Sequence, residues 1–430
     1  MKNIILMFVF ASLIACSSND ESIDPAQIPD PSVTLPDTLP FIPRKDIQLN
    51  EEEKLLPEAT NTFAFNLIKT VYADETVRQP HKNILLSPLS ANLALSMLNN
   101  GAAGKTREEI QQALGYGGVS PETINTYAQK LIDAMQTLDN RGVFESANSI
   151  WTQNGFPVLD AFKKLNQQYY EAEVQSVDFS KPSALSLING WASEKTHGKI
   201  PEILESVDPE TRLALLNALY FKGYWTTPFD KELTADAAFH ASDGSEQMVP
   251  TMRQTAIQPY VKLENSAVTE LNFGNRAFSL VVVLPDEGTS ISTLVEQMDA
   301  GWWAKLTHEL AMSGWEVDIT IPRFKMEYDR MLADDLQALG MKEMFNKVAA
   351  NFSGISPAPL FVSTVRQKTF ARMDEEGMEA AAVTVIGMVG SAGIKFEHVD
   401  FKVNRPFMYF IKEQSTGLVS FTGVMNRIDN

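Results

Sequence analysis

One short apolar run limits the fold more than any other feature of the chain. Residues 279–284 read Ser-Leu-Val-Val-Val-Leu and are stopped by a turn-forming Pro-Asp-Glu-Gly at residues 285–288. A run rich in β-branched residues with no polar alternation predicts a strand covered on both faces. By contrast, residues 317–321 alternate before Pro322 and predict a strand with one exposed face. The fold therefore needs at least one sheet buried between other layers.

Helices are predicted between these strands. Ser87 places a capping hydroxyl before Pro88, which suits a first helical turn, and an apolar stripe follows as far as Gly101. The spacing of apolar residues over 328–339 predicts a second, amphipathic helix that ends at Gly340. Because helices and strands are mixed without the regular alternation of a doubly wound fold, the predicted class is α+β.

The first fifty residues differ in composition from the rest. Residues 1–15 hold Lys2 and an apolar run too short to span a bilayer, and the sequence ending at Cys16 resembles a bacterial lipobox. The resemblance implies a lipoprotein signal peptide over 1–15 and an acylated Cys16; the alternative is secretion with a coincidental cysteine. Residues 16–50 are predicted to form the acylated N-terminus and a proline-rich tether. Residues 51–430 contain no second linker or repeat and are interpreted as one domain.

The acidic residues that follow Cys16 are relevant to where the protein is located in the cell. Asp20, Glu21 and Asp24 resemble the export tag of some bacterial surface lipoproteins, and they fit a merely soluble linker equally well. We expect a lipid-anchored protein of the bacterial outer membrane or cell surface, with a periplasm-facing position as the alternative.

Charge and residue counts exclude several function classes. The 54 acidic and 36 basic residues give a net charge of -18, which opposes binding to phosphate backbones, so no nucleic-acid partner is expected. The single cysteine rules out an internal disulfide and a multi-cysteine metal site. The five histidines are scattered, and no phosphate-binding glycine loop is present. We expect no metal, no cofactor and no enzyme activity; an envelope glycosidase or esterase is the enzymatic alternative.

A segment near the C-terminus combines small and β-branched residues without proline. With a period of two, Met378 shares a face with residues 380, 382, 384, 386 and 388, whereas the charged Glu379 falls on the other face. Gly377 precedes the run, and Gly387, Gly390 and Gly393 follow within it. The pattern predicts a segment that can become a sheet strand; a capped helix after Asp374 or an ordinary core strand are the alternatives.

Six blocks of sequence carry a family resemblance over residues 51–430. They are residues 83–90 (NILLSPLS), 101–110 (GAAGKTREEI), 188–200 (from INGW to THGKI), 217–229 (NALYFKGYWTTPF), 404–407 (NRPF) and 421–426 (FTGVMN). Together these blocks resemble the serpins, a family of serine protease inhibitors. The resemblance implies a serpin fold with three β-sheets, about nine helices and an exposed reactive-centre loop.

The resemblance also implies roles for individual residues. The hinge of the reactive loop comprises Glu375, Glu376, Gly377, Met378, Glu379, Ala380, Ala381 and Ala382. A hydrogen-bonded shutter, which lets the main sheet open, comprises Ser87, Ser90, Asn217 and Gln367, the last where many relatives have a histidine. The breach, where that sheet first opens, contains Trp225. The candidate scissile region comprises Met388, Val389, Gly390, Ser391, Ala392 and Lys395.

The implied function is that of a suicide substrate. A serine protease would cleave the loop and be trapped as an acyl-enzyme when the loop inserts into the main sheet, named sheet A in the family. Counting forward from the hinge places the scissile bond at Ser391-Ala392, which suits elastase-like or subtilisin-like enzymes, whereas counting back from Pro406 reaches Lys395 and a trypsin-like target. The protein would act as a monomer in covalent complex with its protease. A non-inhibitory binding protein of the same fold is the alternative.

Overall fold

The computed structural model describes residues 42–378 and 396–429. These residues contain nine α-helices and sixteen β-strands. The helices are α1 (Leu56–Arg78), α2 (Pro88–Asn99), α3 (Gly104–Ala113), α4 (Pro121–Thr137), α5 (Asp160–Tyr170), α6 (Pro182–Lys195), α7 (Ile291–Gln297), α8 (Ala300–Ala311) and α9 (Ala333–Ala338). The strands are β1 (Ile84–Leu86), β2 (Val143–Gln153), β3 (Glu173–Val177), β4 (Leu213–Tyr224), β5 (Ala235–His240), β6 (Glu246–Gln258), β7 (Tyr260–Lys262), β8 (Ser266–Phe273), β9 (Phe278–Pro285), β10 (Trp315–Pro322), β11 (Phe324–Met331), β12 (Arg366–Met373), β13 (Gly377–Met378), β14 (His398–Lys402), β15 (Phe407–Glu413) and β16 (Val419–Met425).

The strands form three sheets within the described ranges. The core sheet has the order β1-β16-β15-β9-β8-β7, and a four-stranded sheet has the order β14-β10-β6-β5. The hinge sheet, so named because it contains the predicted hinge, has the order β11-β12-β13-β4-β2-β3. The predicted three-sheet, mixed architecture is confirmed.

The two strand predictions are confirmed by burial. Every residue of β9 is buried, as is every residue of its neighbour β15, because other elements cover both faces of the core sheet. In β10, Val317, Ile319 and Ile321 are buried while Asp318 and Thr320 are partly exposed. The period of two in the sequence therefore reports a sheet with one open face.

Helix α2 lies between two sheets and confirms the first helix prediction. The Ser87 hydroxyl caps it by accepting a hydrogen bond from the Ser90 N–H at 3.3 Å, and Pro88 occupies the first turn. The helix packs against β4 of the hinge sheet and β16 of the core sheet. All of its residues except Ala94 are buried.

The helix predicted over residues 328–339 is wrong. The chain continues as strand β11 to Met331, pairs with β12, and forms only the short helix α9 at Ala333–Ala338. In β11 the buried residues are Phe324, Met326, Tyr328 and Arg330, which is the period of a strand. The window of residues 328–339 contains the end of this strand and the whole of α9. The apolar residues of the two elements together have a spacing close to that of a single helix.

The chain that precedes the first helix contacts the domain. Ile47 is buried, and its N–H donates to Ser415 Oγ at 2.9 Å. The Asn275 side chain donates to the Ile42 carbonyl at 3.3 Å. Residues 42–50, assigned to the tether from sequence, therefore lie against the domain at these points. Among the helices described here, none has the length and hydropathy needed to cross a bilayer.

Candidate functional site: the hinge and the open edge of its sheet

A tight turn after β12 starts the hinge. The Asp374 N–H donates to the Gly377 carbonyl at 2.9 Å, and the Gly377 N–H donates back to the Asp374 carbonyl at 3.3 Å. The Asp374 carboxylate also accepts from the Glu376 N–H at 3.0 Å. These bonds reverse the chain, so that β13 runs antiparallel to β12 with Met378 opposite Met373.

Trp225 holds this turn against the end of β4. Its indole N–H donates to the Asp374 carbonyl and its backbone N–H to the Glu376 carbonyl, both at 2.9 Å. The ring stacks on Phe273 with centroids 4.5 Å apart. The structure therefore brings the predicted breach residue and the predicted hinge together, although they are separated by about 150 residues in the sequence.

Three side chains that sequence reasoning missed anchor the acidic turn. The buried Glu375 carboxylate accepts from Thr234 Oγ1 at 2.5 Å and from Arg323 Nε at 2.6 Å, while Glu376 pairs with Lys231. Lys231 and Thr234 lie just before β5, and Arg323 lies between β10 and β11. Because these positions are far from the turn along the chain, no local spacing in the sequence could have identified them.

The environment of the turn moves two pKa values in opposite directions. Burial raises the pKa of Glu375, but the hydrogen bonds from Thr234 and Arg323 outweigh it, so this pKa lies below its usual value. Burial raises the pKa of Asp374 above its usual value, and the Glu376 N–H only partly compensates. Glu375 is thus held as an anion, whereas Asp374 is the carboxyl that protonates more readily.

The first residues of the hinge occupy the sheet itself. Gly377 lies opposite Tyr224, and Met378 lies opposite Gly223. A Cβ atom on Gly377 would lie 2.0 Å from the Gly223 carbonyl oxygen, so no side chain fits there. The Met378 side chain points into the core and is only 2% exposed. The apolar Met378 therefore fits the inner face predicted for it.

Both neighbours of β13 extend beyond the two residues of that strand. Strand β4 pairs with β2 along its length, but in the described residues its other edge pairs only with Gly377 and Met378. Strand β12 likewise pairs with β11 on one side and with Met378 alone on the other. A strand that continued β13 could therefore form hydrogen bonds with the backbone groups of both β4 and β12.

The four predicted shutter residues meet at the N-terminus of α2. The Ser87 N–H donates to Gln367 Oε1 at 2.9 Å, and Gln367 Nε2 donates to the Ser87 carbonyl at 2.8 Å. The Ser90 hydroxyl donates to Asn217 Oδ1, and Asn217 Nδ2 donates to Asn148 Oδ1 at 2.7 Å. One helix terminus therefore contacts both β12, through Gln367, and β4, through Asn217.

Two further contacts complete this junction and were not predicted. The Ser87 hydroxyl donates to the Ser420 carbonyl at 2.9 Å, which ties α2 to the core sheet. Thr369 Oγ1 donates to the Leu85 carbonyl at 2.7 Å, which ties β12 to β1. Thr369 could have been identified from the sequence, because it lies two residues after Gln367 and therefore on the same face of the strand.

The remaining predicted site residues lie outside the described residues. They are Cys16, the second half of the hinge (Glu379, Ala380, Ala381, Ala382) and the whole candidate scissile region (Met388, Val389, Gly390, Ser391, Ala392, Lys395). Within the described part of the chain, no group of three or more His, Cys, Asp or Glu side chains is arranged to hold a metal ion.

In the described residues, the hinge sheet holds two residues of strand β13 between the longer strands β4 and β12, an arrangement that suits a longer strand at this place. Residues 58–428 match the family model described as serpin (serine protease inhibitor). The chain therefore belongs to the serpin family, a family of serine protease inhibitors and not of enzymes.

Relatives and solved structures agree with this assignment. Serpin B6 of Macaca fascicularis is 34% identical over 378 residues, which cover 86% of this chain and 98% of that protein. The native-state structure of tengpin, a thermophilic serpin, is 29% identical with a TM-score of 0.78 and covers 91% of this chain and 98% of its own. The structure of human thyroxine-binding globulin in complex with thyroxine is 28% identical with a TM-score of 0.78 and covers 88% of this chain and 100% of its own.

Proposed function

We propose that this protein is a suicide-substrate inhibitor of serine-type endopeptidases, which traps the acyl-enzyme by inserting its cleaved loop into the hinge sheet. The observation that carries the proposal is β13. It is antiparallel to both β12 and β4, Met378 is its last described residue, and its two neighbours continue beyond that point. A strand continuing β13 would gain ladder hydrogen bonds on both sides.

The pairing register supports the proposal residue by residue. Each step forward from Met378 moves one residue back along β4 and along β12. A continued strand would therefore bring Ala380 opposite Phe221 and Ala371. It would bring Thr384 opposite Asn217 and Gln367, so that a hydroxyl would arrive between the two shutter amides.

Inhibition requires that loop insertion be faster than hydrolysis of the acyl-enzyme. The protease serine Oγ attacks the carbonyl carbon of the scissile bond, the C–N bond breaks, and the new amine leaves with a proton from the protease histidine. The resulting ester links the protease to the end of the inserting segment. At about 3.3 Å per strand residue, some sixteen residues would carry that end roughly 50 Å. A protease displaced this far and distorted at its oxyanion hole would no longer hydrolyse the ester.

We infer that the target is elastase-like or subtilisin-like. The inference rests on the small and apolar residues from Met388 to Ala392, which suit shallow primary pockets, with the scissile bond at Ser391-Ala392. The alternative is a trypsin-like protease cleaving after Lys395.

Incubation with a panel of serine proteases tests both inferences. We expect a protease adduct that survives denaturing electrophoresis, and a released C-terminal peptide whose mass identifies the bond. The variant Ala380→Glu should be cleaved at the same bond without forming the adduct, because a charge would face the core. A panel that only cleaves or ignores the wild-type chain, with no adduct, would refute the inhibitor proposal.

A non-inhibitory binding protein is the second candidate, and the likeness to human thyroxine-binding globulin is the observation in its favour. The small residues at positions 380–382 favour the inhibitor, because a binding protein does not need a loop that inserts rapidly. A chain that forms no adduct and gains no stability after loop cleavage would support this second candidate.

We also propose that the inhibitor is held at the outer membrane or cell surface by lipid on Cys16. The lipobox-like sequence before Cys16 and the prolines of residues 16–50 support an anchor followed by a spacer. Labelling with a radioactive fatty acid and fractionation should place the wild type with membranes and Cys16→Ala in the soluble fraction. Accessibility of intact cells to an added protease would separate the surface position from the periplasm-facing one.

A further inference from the structure

One end of the four-stranded sheet lies where the reactive loop rejoins the domain. Phe396 is the first described residue after the candidate scissile region, and β14 begins two residues later. A Cβ atom on Gly314 would lie 3.6 Å from Phe396 Cε1, so the Phe396 ring lies over the backbone just before β10. The position at which the loop returns is thus fixed to this end of the sheet.

Large apolar side chains are exposed at this end of the sheet. The register pairs Glu316 of β10 with Ile257 of β6 on one side and with His398 of β14 on the other. Side chains at paired positions share a face, and Phe396, two residues before His398, lies on that same face. Ile257 is 51% exposed and Phe396 37%, and Met312, two residues before the glycine beneath Phe396, is 79% exposed. Exposed apolar side chains that are grouped in this way mark interaction sites, and these three are called the loop-end patch.

Acidic side chains border the loop-end patch. The Glu316 carboxylate lies 3.2 Å from His398 Nδ1, and the exposed Glu397 directly precedes that histidine. The other ring nitrogen of His398 is 3.4 Å from Asp400, which also has Lys402 at 3.2 Å. Three carboxylates thus face two basic groups, one of them an imidazole, and the border is acidic overall. A partner surface that combines apolar area with Arg or Lys side chains is complementary to it.

A protease bound at the candidate scissile region is large enough to cover this patch. Phe396 follows Ala392 by four residues, which is at most about 14 Å of chain. Ile257 lies two strands across and two residues along from Phe396, about 12 Å away by the spacing of a sheet. A protease domain of about 230 residues has a radius of gyration of about 17 Å and therefore a diameter of roughly 45 Å. The patch is thus within reach of the protease surface that borders the cleft.

We propose that the loop-end patch and Glu316 form a second contact for the target protease, and that this contact selects proteases with apolar and basic side chains beside the half of the cleft that binds residues after the scissile bond. The inference rests on the proposed inhibitor function and adds a determinant of the target outside the loop. Residues from Met388 to Ala392 are small or apolar and suit the primary pockets of many proteases, so discrimination between those proteases needs contacts elsewhere. Because the contact forms before cleavage, it sets the rate of association and not the fate of the acyl-enzyme.

Two variants at opposite ends of β6 test the proposal. Ile257→Lys places a positive charge in the patch, whereas Met248→Lys places the same charge about 30 Å away at a similarly exposed apolar position. With the protease that attacks the wild type fastest, Ile257→Lys should lower the second-order rate constant about tenfold, and Met248→Lys should change it less than about twofold. The number of inhibitor molecules consumed per trapped protease should stay the same, because the loop is unchanged. Equal rates for the two variants would overturn the proposal, and a change in self-association alone, measured by sedimentation, would assign the patch to a second copy of the chain instead.

Two carboxylates on the same sheet provide an independent, matched check. Glu316 is paired with His398 at 3.2 Å and Glu246 with His240 at 3.6 Å, and all four side chains are about half exposed. Glu316→Gln should lower the rate constant several-fold and weaken its dependence on ionic strength, whereas Glu246→Gln should change neither. An unaltered rate in Glu316→Gln would contradict the proposed contact. If Ile257→Lys is cleaved more slowly than the wild type while no protease is trapped, the patch stands and the inhibitor function fails; if adducts form equally fast in all four variants, the inhibitor function stands and the patch fails.

Discussion

At the scale of single residues, Gly377 is a position with no room for a side chain. Any side chain there would meet the Gly223 carbonyl oxygen at 2.0 Å, and backbone atoms on both strands cannot move aside cheaply. We expect Gly377→Ala to lower the free energy of unfolding by about 1–3 kcal/mol, measured by urea denaturation. Gly190→Ala within α6, where a Cβ would meet nothing within 4 Å, should be neutral or slightly stabilising. The prediction fails if both variants unfold like the wild type.

Gln367 provides a second residue-scale prediction. Its amide both accepts from and donates to the backbone of Ser87. In Gln367→Glu the carboxylate could still accept the hydrogen bond from the Ser87 N–H, but it would have no proton to donate to the Ser87 carbonyl. We expect this change to lower the free energy of unfolding by about 3 kcal/mol at neutral pH. The pKa of the new carboxyl would be raised in the folded state, so the loss should be largest above that pKa and should shrink as the pH falls below it. Unfolding curves of Gln367→Glu against pH, with the exposed Gln167→Glu as control, measure this; a loss that does not depend on pH would argue against the bond to Ser87.

At the scale of elements, the hinge turn depends on Glu375. Its pKa is lowered in the folded protein, so its contribution to stability is present above the unfolded-state value near 4.5 and is lost as the pH falls through the folded-state pKa. We expect Glu375→Gln to cost about 1–3 kcal/mol at neutral pH, and the difference from the wild type to shrink in acid. Glu376→Gln should cost less than about 1 kcal/mol, because its partner Lys231 is mostly exposed. Equal costs for the two variants would contradict the buried role of Glu375.

Some elements of the fold could be predicted from the sequence and others could not. Helix α2 and strand β9 were predictable, because a cap, a proline and an uninterrupted apolar run each report local structure. The change from β11 to α9 was not, because burial of the polar Arg330 depends on acidic partners that include Asp335 and the distant Glu75. The shutter and Trp225 were predictable only through family resemblance, and Arg323 and Thr234 not at all, since only the fold brings them to Glu375.

At the scale of the whole molecule, the proposed insertion predicts that the intact chain is less stable than the chain with a cleaved and inserted loop. Nicking the loop would let a strand continue β13 between β4 and β12, with new ladder hydrogen bonds and apolar burial against α2. A net gain of about 5 kcal/mol would raise the unfolding temperature of a domain of this size by roughly 6 °C. Calorimetry of intact and nicked protein measures the difference. The nicked Ala380→Glu chain should show little or no gain, because the charge would stop insertion two residues beyond Met378. A nicked wild type that unfolds at or below the temperature of the intact chain would show that the loop does not insert between β4 and β12.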